Sequence, residues 1–191
     1  MTNTTLRTIT VADYLRFMEL AEKYEGSTDP LMEFKFLSEY YGQDLSDMDE
    51  VTAKYALEEV VQEMTDVDSI KIPDKPNKTI KVGKVKYNIP HNLEHSAKMS
   101  QYVDYAGFID RYDGPQHGIG PIVCAIFLRK PKELYSQVKL NDRIETMKQM
   151  RLVDSVALTS FFLIQSQQFR KITSRFFDRS QASEKTAHPT T

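Results

Sequence analysis

The sequence has little cysteine and no long apolar run. Its single cysteine, Cys124, rules out a disulfide within the chain, so the reducing cytoplasm is the natural compartment. Cys124 lies in the apolar segment 122–128, where we interpret it as core filler in preference to a reactive thiol. No apolar stretch approaches the roughly 18 residues that would suggest a membrane span. Residues 1–5 also lack the basic and then apolar pattern of a signal peptide, so we expect neither secretion nor membrane insertion.

Charge is distributed unevenly along the chain. Apolar residues make up 40% of the 191 residues, enough for one full-sized core or for a compact domain with an appendage. Residues 1–68 contain 16 acidic and 5 basic side chains, net −11, whereas residues 69–191 contain 11 acidic and 20 basic side chains, net +9. Either the two parts neutralise each other in the fold, or each faces a differently charged partner. The alternative that involves no partner is a chance excess of solvated carboxylates on helix surfaces.

Three helices are predicted in the acidic part, which we define as a helical unit over residues 1–70. Each begins at a capping signal, a short polar side chain followed by an acidic residue or by proline, and continues with apolar residues at helical spacing. The signals and their helices are Thr10 with Asp13 for about 11–24, Asp29-Pro30 for a helix ending at Gly42, and Ser46 with Asp49 for about 47–65.

A linker and a hairpin follow. Residues 71–78 contain two prolines and no helical period, so they are predicted to connect the two parts of the chain. Segments 79–82 and 85–89 alternate apolar and polar residues on either side of Gly83-Lys84, a turn with glycine first. We therefore expect a small β-hairpin at the start of a second unit over 79–179, supported by helices because a lone hairpin is marginal.

The second unit is otherwise predicted to be helical. A helix over about 97–110 is expected to place five apolar residues on one side, namely Met99, Tyr102, Val103, Ala106 and Ile109. Pro121 opens an apolar segment that ends at Leu128, interpreted as a buried helix, although its period alone also allows a strand. The predicted fold class is therefore mainly α with a small β-hairpin (α+β).

The C-terminal end of the second unit contains the longest predicted helix. Asn141-Asp142 caps a short helix that ends at Met150, and Asp154 caps a long one that ends at about Asp178. Residues 180–191 carry no hydrophobic period and are predicted to be a disordered tail.

Metal-ligating and catalytic residues are sparse. His91 and His95 stand four residues apart and His117 lies in the glycine-rich loop, but Pro90 argues against a helical His91 and no cysteine stands beside them. The same loop lacks the spacing of a phosphate-binding motif, and no serine, cysteine or threonine has a nucleophile context. We expect no metal site, no cofactor and no enzyme activity.

The long C-terminal helix carries a seam with heptad rhythm, interrupted by Gln165. The candidate partner-binding residues are its apolar members, Leu158, Phe162, Phe169, Ile172 and Phe176. The seam either closes the chain's own core or, where it is left uncovered, offers aromatic anchors for a helix-in-groove contact or for self-association.

Nucleic-acid binding is a weaker alternative for the same helix. Its basic residues lie among phenylalanines, namely Arg170, Lys171, Arg175 and Arg179. Packing already explains the aromatic residues, and the whole chain carries a net charge of −2. We rank a nucleic-acid-binding regulator third among the functions.

Seven segments occur in a fixed order along the chain, namely 8–14, Asp29-Pro30-Leu31, 41–46, the hairpin 80–89, 100–104, 122–126 and 160–163. In this order they resemble small proteins of tailed bacteriophages, the tail assembly chaperones and related virion-assembly proteins. The resemblance implies a protein of the host cytoplasm that holds a long helical tail-length-determining protein soluble and recruits tail subunits. Its partners would be other phage proteins, and no catalytic residue carries over.

The sequence departs from that resemblance in its long, phenylalanine-rich C-terminal helix. This departure leaves open a structural role in the virion, as a ring, connector or packaged protein. The expected function is therefore a tail assembly chaperone, with a virion component as the alternative.

Overall fold

A computed structural model of the chain describes residues 9–65, 76–114 and 118–167. The structure is mostly helical with a small two-stranded antiparallel hairpin, which confirms the predicted fold class. In chain order its elements are α1 (Val11–Tyr24), α2 (Met32–Tyr41), α3 (Glu50–Thr65), β1 (Thr79–Val82), β2 (Val85–Asn88), α4 (Leu93–Ser96), α5 (Met99–Ile109), α6 (Ile119–Phe127), α7 (Leu140–Met147) and α8 (152–167, as far as it is described).

The first three helices form the N-terminal region, which we define as residues 9–65. α2 packs against both α1 and α3. Their apolar faces bury one core, formed by Phe17, Leu20, Phe36, Leu37, Tyr40, Ala53, Val60 and Met64. Amphipathic helices bury one stripe and leave the opposite stripe to solvent, which is why the acidic residues of this region lie on its surface.

The capping signals explain where these helices begin and end. The Thr10 hydroxyl accepts from the Asp13 amide at 3.2 Å and the Asp13 carboxylate accepts from the Thr10 amide at 3.0 Å, as a capping box requires. Gly42 ends α2 in the left-handed conformation, with φ of 65°. The predicted start of α3 at 47 was wrong, because the cap is Asp49, whose carboxylate accepts from the Thr52 amide at 2.9 Å.

The hairpin has the predicted turn and register. Ile80 pairs with Tyr87 and Val82 with Val85, and Gly83 adopts φ of 56°, which favours glycine. The outer edge of β2 continues the ladder, because the Asn88 amide donates to the Arg129 carbonyl at 2.7 Å. The hairpin is thereby attached to the chain that leaves α6.

The C-terminal region, defined as residues 76–114 and 118–167, is built around α6. No residue of this helix is exposed, and its side chains lie among those of the hairpin, α5, α7 and α8. The helical interpretation of the apolar segment after Pro121 is confirmed, and Pro121 stands in the first turn, where a missing amide hydrogen costs nothing.

α5 turns a different face to this core from the one predicted. Gln101, Tyr102 and Tyr105 are buried, whereas Met99 and Val103 are exposed, so the prediction of a buried face through Met99 and Val103 was wrong. The buried face follows from a polar contact, since the Gln101 side-chain amide donates to the Ile126 carbonyl at 2.7 Å. The spacing of apolar residues cannot predict that a polar residue is buried because it binds a free carbonyl at the end of a buried helix.

α8 begins earlier than predicted. Residue 152 is already helical, and Asp154 does not cap the helix but forms an ion pair with Arg151 at 2.6 Å. The predicted continuation to Asp178 and the predicted tail over 180–191 lie outside the described residues, as does most of the predicted linker over 71–78.

The two regions meet at a small junction where α1 begins. The amides of Val11 and Ala12 donate to the carbonyls of Met150 and Lys148 at 3.0 and 2.9 Å, just beyond the end of α7. Amides in the first turn of a helix have no hydrogen-bond acceptor within that helix. The free amides of α1 therefore bind the free carbonyls at the C-terminal end of α7. Val11 and Leu152 are buried together beside this contact.

Candidate protein-binding surface

Two of the predicted partner-binding residues lie in the protein core. Leu158 is 2% exposed and Phe162 is fully buried, with its ring 5.2 Å from that of Phe127. A partner cannot reach either side chain in the folded chain, so core closure replaces the prediction that these two residues form a binding surface. Phe169, Ile172 and Phe176 lie outside the described residues, and their assignment stays a prediction.

The opposite side of α8 is apolar as well. We define the outer face of α8 as the side opposite the buried Leu158 and Phe162, which contains Val153, Ala157, Ser160 and Ile164. Val153 is 43% and Ile164 is 56% exposed. No charged residue occurs between Asp154 and the end of the described helix at residue 167. A surface helix normally carries charge on its solvent side, so this uncharged side with two exposed apolar residues is a candidate binding face.

Close packing against α6 holds α8 in place. A Cβ atom at Gly120 would lie 2.3 Å from the Ser155 hydroxyl and 3.0 Å from that of Thr159, so only glycine permits this approach. The Thr159 hydroxyl donates to the Ser155 carbonyl at 2.7 Å. Farther along α8, the Ser166 hydroxyl donates to the Tyr105 hydroxyl of α5 at 2.9 Å. The inner side of α8 therefore packs closely against α6 and is hydrogen-bonded to α5.

A shallow cleft borders this face. It has a volume of about 320 Å³ and lies between the hairpin and α8. Ile80 and Ile89 line the hairpin side and Ala157 and Leu158 the α8 side, and the lining also includes the charged side chains of Lys81, Arg151 and Asp154. An apolar helix or strand laid along the outer face of α8 would also have this depression beside it.

Polar side chains at the end of α6 are occupied by structural contacts. The Arg129 guanidinium donates to the carbonyls of Ala125 at 3.0 Å and of Ile126 and Leu128, and the Arg143 guanidinium donates to the Leu128 carbonyl. Burial lowers the pKa of Arg129 to about 10. Arg143 also forms an ion pair with Glu133 at 2.8 Å. These cations neutralise the negative end of a buried helix, which explains their burial without a ligand.

The ion pairs of the described residues all stay within one region. Lys23 pairs with Glu39 at 2.6 Å within the N-terminal region, where Lys35 also pairs with Asp29. The other pairs lie in the C-terminal region and join Arg143 to Glu133, Lys148 to Glu145 and Arg151 to Asp154. None of these pairs crosses the junction. The opposite charges of the two regions are therefore not neutralised by direct pairing between the parts of the chain that the structure describes.

The residues considered for metal or thiol chemistry are separated. His91 and His95 are exposed, and His117 lies outside the described residues. Within 9–65, 76–114 and 118–167, no three His, Cys, Asp or Glu side chains are grouped so that they could hold a metal ion. Cys124 is buried, and burial raises the pKa of its thiol well above the usual range. A thiol held in its neutral form is a poor nucleophile, in agreement with its interpretation as core filler.

Among the described residues, no helix is both long enough and apolar enough to cross a membrane. Comparisons with protein-family models, with curated proteins and with solved structures find no match to this chain. The surface that stands out from the geometry is the outer face of α8. Sequence periodicity missed it because the seam and the outer face are both apolar, and only the fold shows which of them is covered.

Proposed function

We propose that the protein is a non-enzymatic protein-binding factor whose client covers the outer face of α8. The observation that supports this proposal is the uncharged, half-exposed face containing Val153 and Ile164. Surface helices usually carry charge on the side away from the core, and contiguous exposed apolar groups mark places where another protein binds. The cleft between the hairpin and α8 extends that surface.

We propose further that the client is a long helical tail protein of a tailed phage and that the chain acts in the host cytoplasm as its assembly chaperone. The phage setting is supported by the resemblance of segments 8–14, 80–89 and 160–163, among others, to tail assembly chaperones. A long tail protein exposes apolar helical stripes before it assembles. An apolar face that covers such a stripe protects it from aggregation.

The alternative is a structural component of the virion, which requires an interface of different size and lifetime. A chaperone must release its client, so its contact is of modest size and short residence time. A virion component needs a large and permanent apolar interface. The two roles are therefore distinguished by whether the chain remains in the finished particle.

The first experiment tests the binding face itself. Tagged wild-type chain is used to recover a long helical protein from infected-cell lysate, and the recovered protein is then purified for direct binding measurements. Ile164→Lys places a charge at the C-terminal end of the outer face of α8 and should weaken binding at least about tenfold, because burying an unpaired ammonium group in an apolar contact is costly. Val61→Lys is the matched control, since Val61 is also exposed but lies on α3.

Equal binding by the wild type and Ile164→Lys would refute the assignment of this face.

The second experiment tests whether the chain is released from its client before the particle is complete. Mass spectrometry of purified phage particles should not find the chain. A fixed copy number per particle would replace the chaperone by the structural component. A salt-dependent shift with DNA or RNA, unaffected by Ile164→Lys, would favour the nucleic-acid-binding regulator instead.

A further inference from the structure

The hairpin has one occupied edge and one open edge. On the outer side of β2, the Asn88 amide donates to the Arg129 carbonyl at 2.7 Å and the Arg129 amide donates back to the Asn88 carbonyl at 3.5 Å. Asn88 faces Thr79 in the ladder. Facing residues of an antiparallel pair both point their backbone groups either inward or outward, so Thr79 and, two residues on, Lys81 point theirs away from β2. Within the described part of the chain, no strand pairs with that side of β1.

This open edge of β1 borders the cleft between the hairpin and α8. Thr79, Ile80 and Lys81 line the cleft on one side, and Ala157 and Leu158 line it on the other. A strand added to the edge would lie about 4.8 Å from β1 and therefore enter this cleft. Its side chains would point alternately to the two faces of the enlarged sheet, so those two faces decide which sequence fits.

The two faces of the hairpin differ in chemistry. The inner face packs on the core of the C-terminal region and consists of Ile80, Val82, Val85 and Tyr87. The outer face consists of Thr79, Lys81, Lys86 and Asn88. On the outer face Lys81 stands directly opposite Lys86, and like charges in that position destabilise a sheet. A carboxylate on a neighbouring strand would offset this repulsion.

The charge around the open edge has a single sign. Residues 76–90 contain four lysines and no acidic residue, and all four lysines are exposed, namely Lys78, Lys81, Lys84 and Lys86. None of them joins the ion pairs formed among the described residues. The other two charged groups of the cleft neutralise each other, because the Arg151 guanidinium donates to both carboxylate oxygens of Asp154 at 2.6 and 2.9 Å. Lysines at a strand edge repel neutral and basic strands less and more strongly, respectively, and select an acidic one.

We infer that the open edge of β1 binds an extended segment of another protein in which apolar and acidic residues alternate. The segment becomes the third strand of the sheet and exchanges backbone hydrogen bonds with Thr79 and Lys81. Its apolar side chains lie on the inner face beside Ile80, and its carboxylates lie on the outer face beside Lys81 and Lys86. This contact goes beyond the proposed client contact, which uses the apolar outer face of α8.

A synthetic peptide tests the inference without any phage protein. The acidic peptide has about eight residues, blocked ends and alternating valine and glutamate, and it is added to the full-length chain. Backbone NMR should show saturable binding, with slower hydrogen exchange at the amides of Thr79 and Lys81, because these amides then donate to the peptide. A basic peptide of alternating valine and lysine should bind at least about tenfold more weakly, because it meets like charge.

The backbone contact is tested by N-methylation of the acidic peptide. One derivative is methylated at the valine nitrogens and the other at the glutamate nitrogens. Alternate residues of a strand present their amides to opposite edges, so one of the two derivatives should lose at least about tenfold in affinity. The charge pattern and the side chains are the same in both.

Charge reversal of the hairpin tests the lysines. Lys81→Glu with Lys86→Glu should prefer the basic peptide to the acidic one, and binding of the basic peptide also shows that this variant is folded. Lys132→Glu with Lys139→Glu is the matched control, with an equal charge change at exposed lysines between α6 and the start of α7. The control should keep the preference of the wild type for the acidic peptide.

Ile164→Lys separates this inference from the proposed client contact. It alters the outer face of α8 and should leave binding of the acidic peptide unchanged. The inference is overturned if the acidic peptide shows no saturable binding up to about 1 mM. It is also overturned if both N-methylated peptides bind as well as the parent, or if Lys81→Glu with Lys86→Glu still prefers the acidic peptide.

Discussion

The hydrophobic cores of the two regions are built differently. The N-terminal region buries eight apolar residues between three helices that each keep an acidic outer surface. The C-terminal region buries 17 around α6, a helix with no exposed residue. The polar side chains buried in the described parts of the chain, Gln101, Arg143, Ser155, Thr159 and Ser166, all belong to the C-terminal region. Gln101 and Arg143 donate to the backbone carbonyls at the end of α6, which need such partners because water does not reach them.

This difference indicates which substitutions should destabilise each region most. The N-terminal region depends on helix caps and on amphipathic packing, both of which are local. The C-terminal region depends on one central packing arrangement that many elements share. We therefore expect the largest effects from substitutions in the C-terminal core, intermediate effects at the junction, and the smallest effects on the N-terminal surface.

The largest expected effect is that of Phe162→Ala. Phe162 is fully buried against Phe127, and replacing a buried Phe by Ala typically costs about 3–5 kcal/mol through lost burial and the cavity left behind. Urea denaturation should show this loss in the free energy of unfolding. Ile164→Ala, two residues along on the outer face, serves as the control and should change it by less than about 0.5 kcal/mol. Similar losses for both variants would contradict the assignment of the two faces of α8.

Leu152→Ala tests how far the junction couples the two regions. Leu152 is buried against Val11, and its truncation should cost about 2–3 kcal/mol, the low end for buried Leu because this cluster is small. Calorimetry of the variant should show two transitions, since the regions would then unfold separately. A single transition that coincides by fluorescence and circular dichroism would mean that the hydrogen bonds of α1 alone keep the regions coupled.

Thr10→Ala removes the cap of α1 at that same junction. The lost hydrogen bond to the Asp13 amide should lower the free energy of unfolding by about 1 kcal/mol. Thr65→Ala, at the exposed end of α3, is the matched control and should have a smaller effect. Equal stability of wild type and Thr10→Ala in urea would show that the backbone contacts of Val11 and Ala12 suffice to begin the helix.

Acidification should weaken the N-terminal region before the C-terminal one. Hydrogen bonds from Lys35, Lys23 and Thr52 hold the pKa values of Asp29, Glu39 and Asp49, respectively, below their usual range. Such lowered values stabilise the fold above a pH of about 4, and this stabilisation is lost as the pH falls through the folded-state pKa.

Hydrogen-exchange protection factors measure the effect region by region. Below a pH of about 4, amides of α2 should lose more protection than amides of α6, and the effect should be modest because these carboxylates are exposed. Glu39→Gln should reduce the pH dependence in α2. Uniform loss of protection in both regions would contradict the expected difference.

Tyr55→Ser should have the smallest effect on stability. Tyr55 is exposed on α3, so the free energy of unfolding should change by no more than about 0.5 kcal/mol. Urea denaturation measures this change, and a loss of more than about 1 kcal/mol would show that Tyr55 contributes to the fold of its own region.

The candidate site could be predicted from the sequence only in part. Heptad spacing correctly marked the helix that contains Leu158 and Phe162 but left open whether its seam binds a partner or closes the core, and these two candidate partner-binding residues lie in the core. The exposed Val153 and Ile164 lie on the other side of that helix. The sequence pattern does not distinguish an apolar residue that packs within its own chain from one that binds another protein.

Local chemistry determined much of the fold. The capping box of Thr10 with Asp13, the glycine that ends α2 at Gly42 and the turn at Gly83 each depend on residues close in sequence, and each is formed as predicted. Only the tertiary structure decided that Gln101 faces inward, that Gly120 brings α6 and α8 together, and that α1 begins against the end of α7. These contacts join residues far apart along the chain, so no sequence window contains both partners.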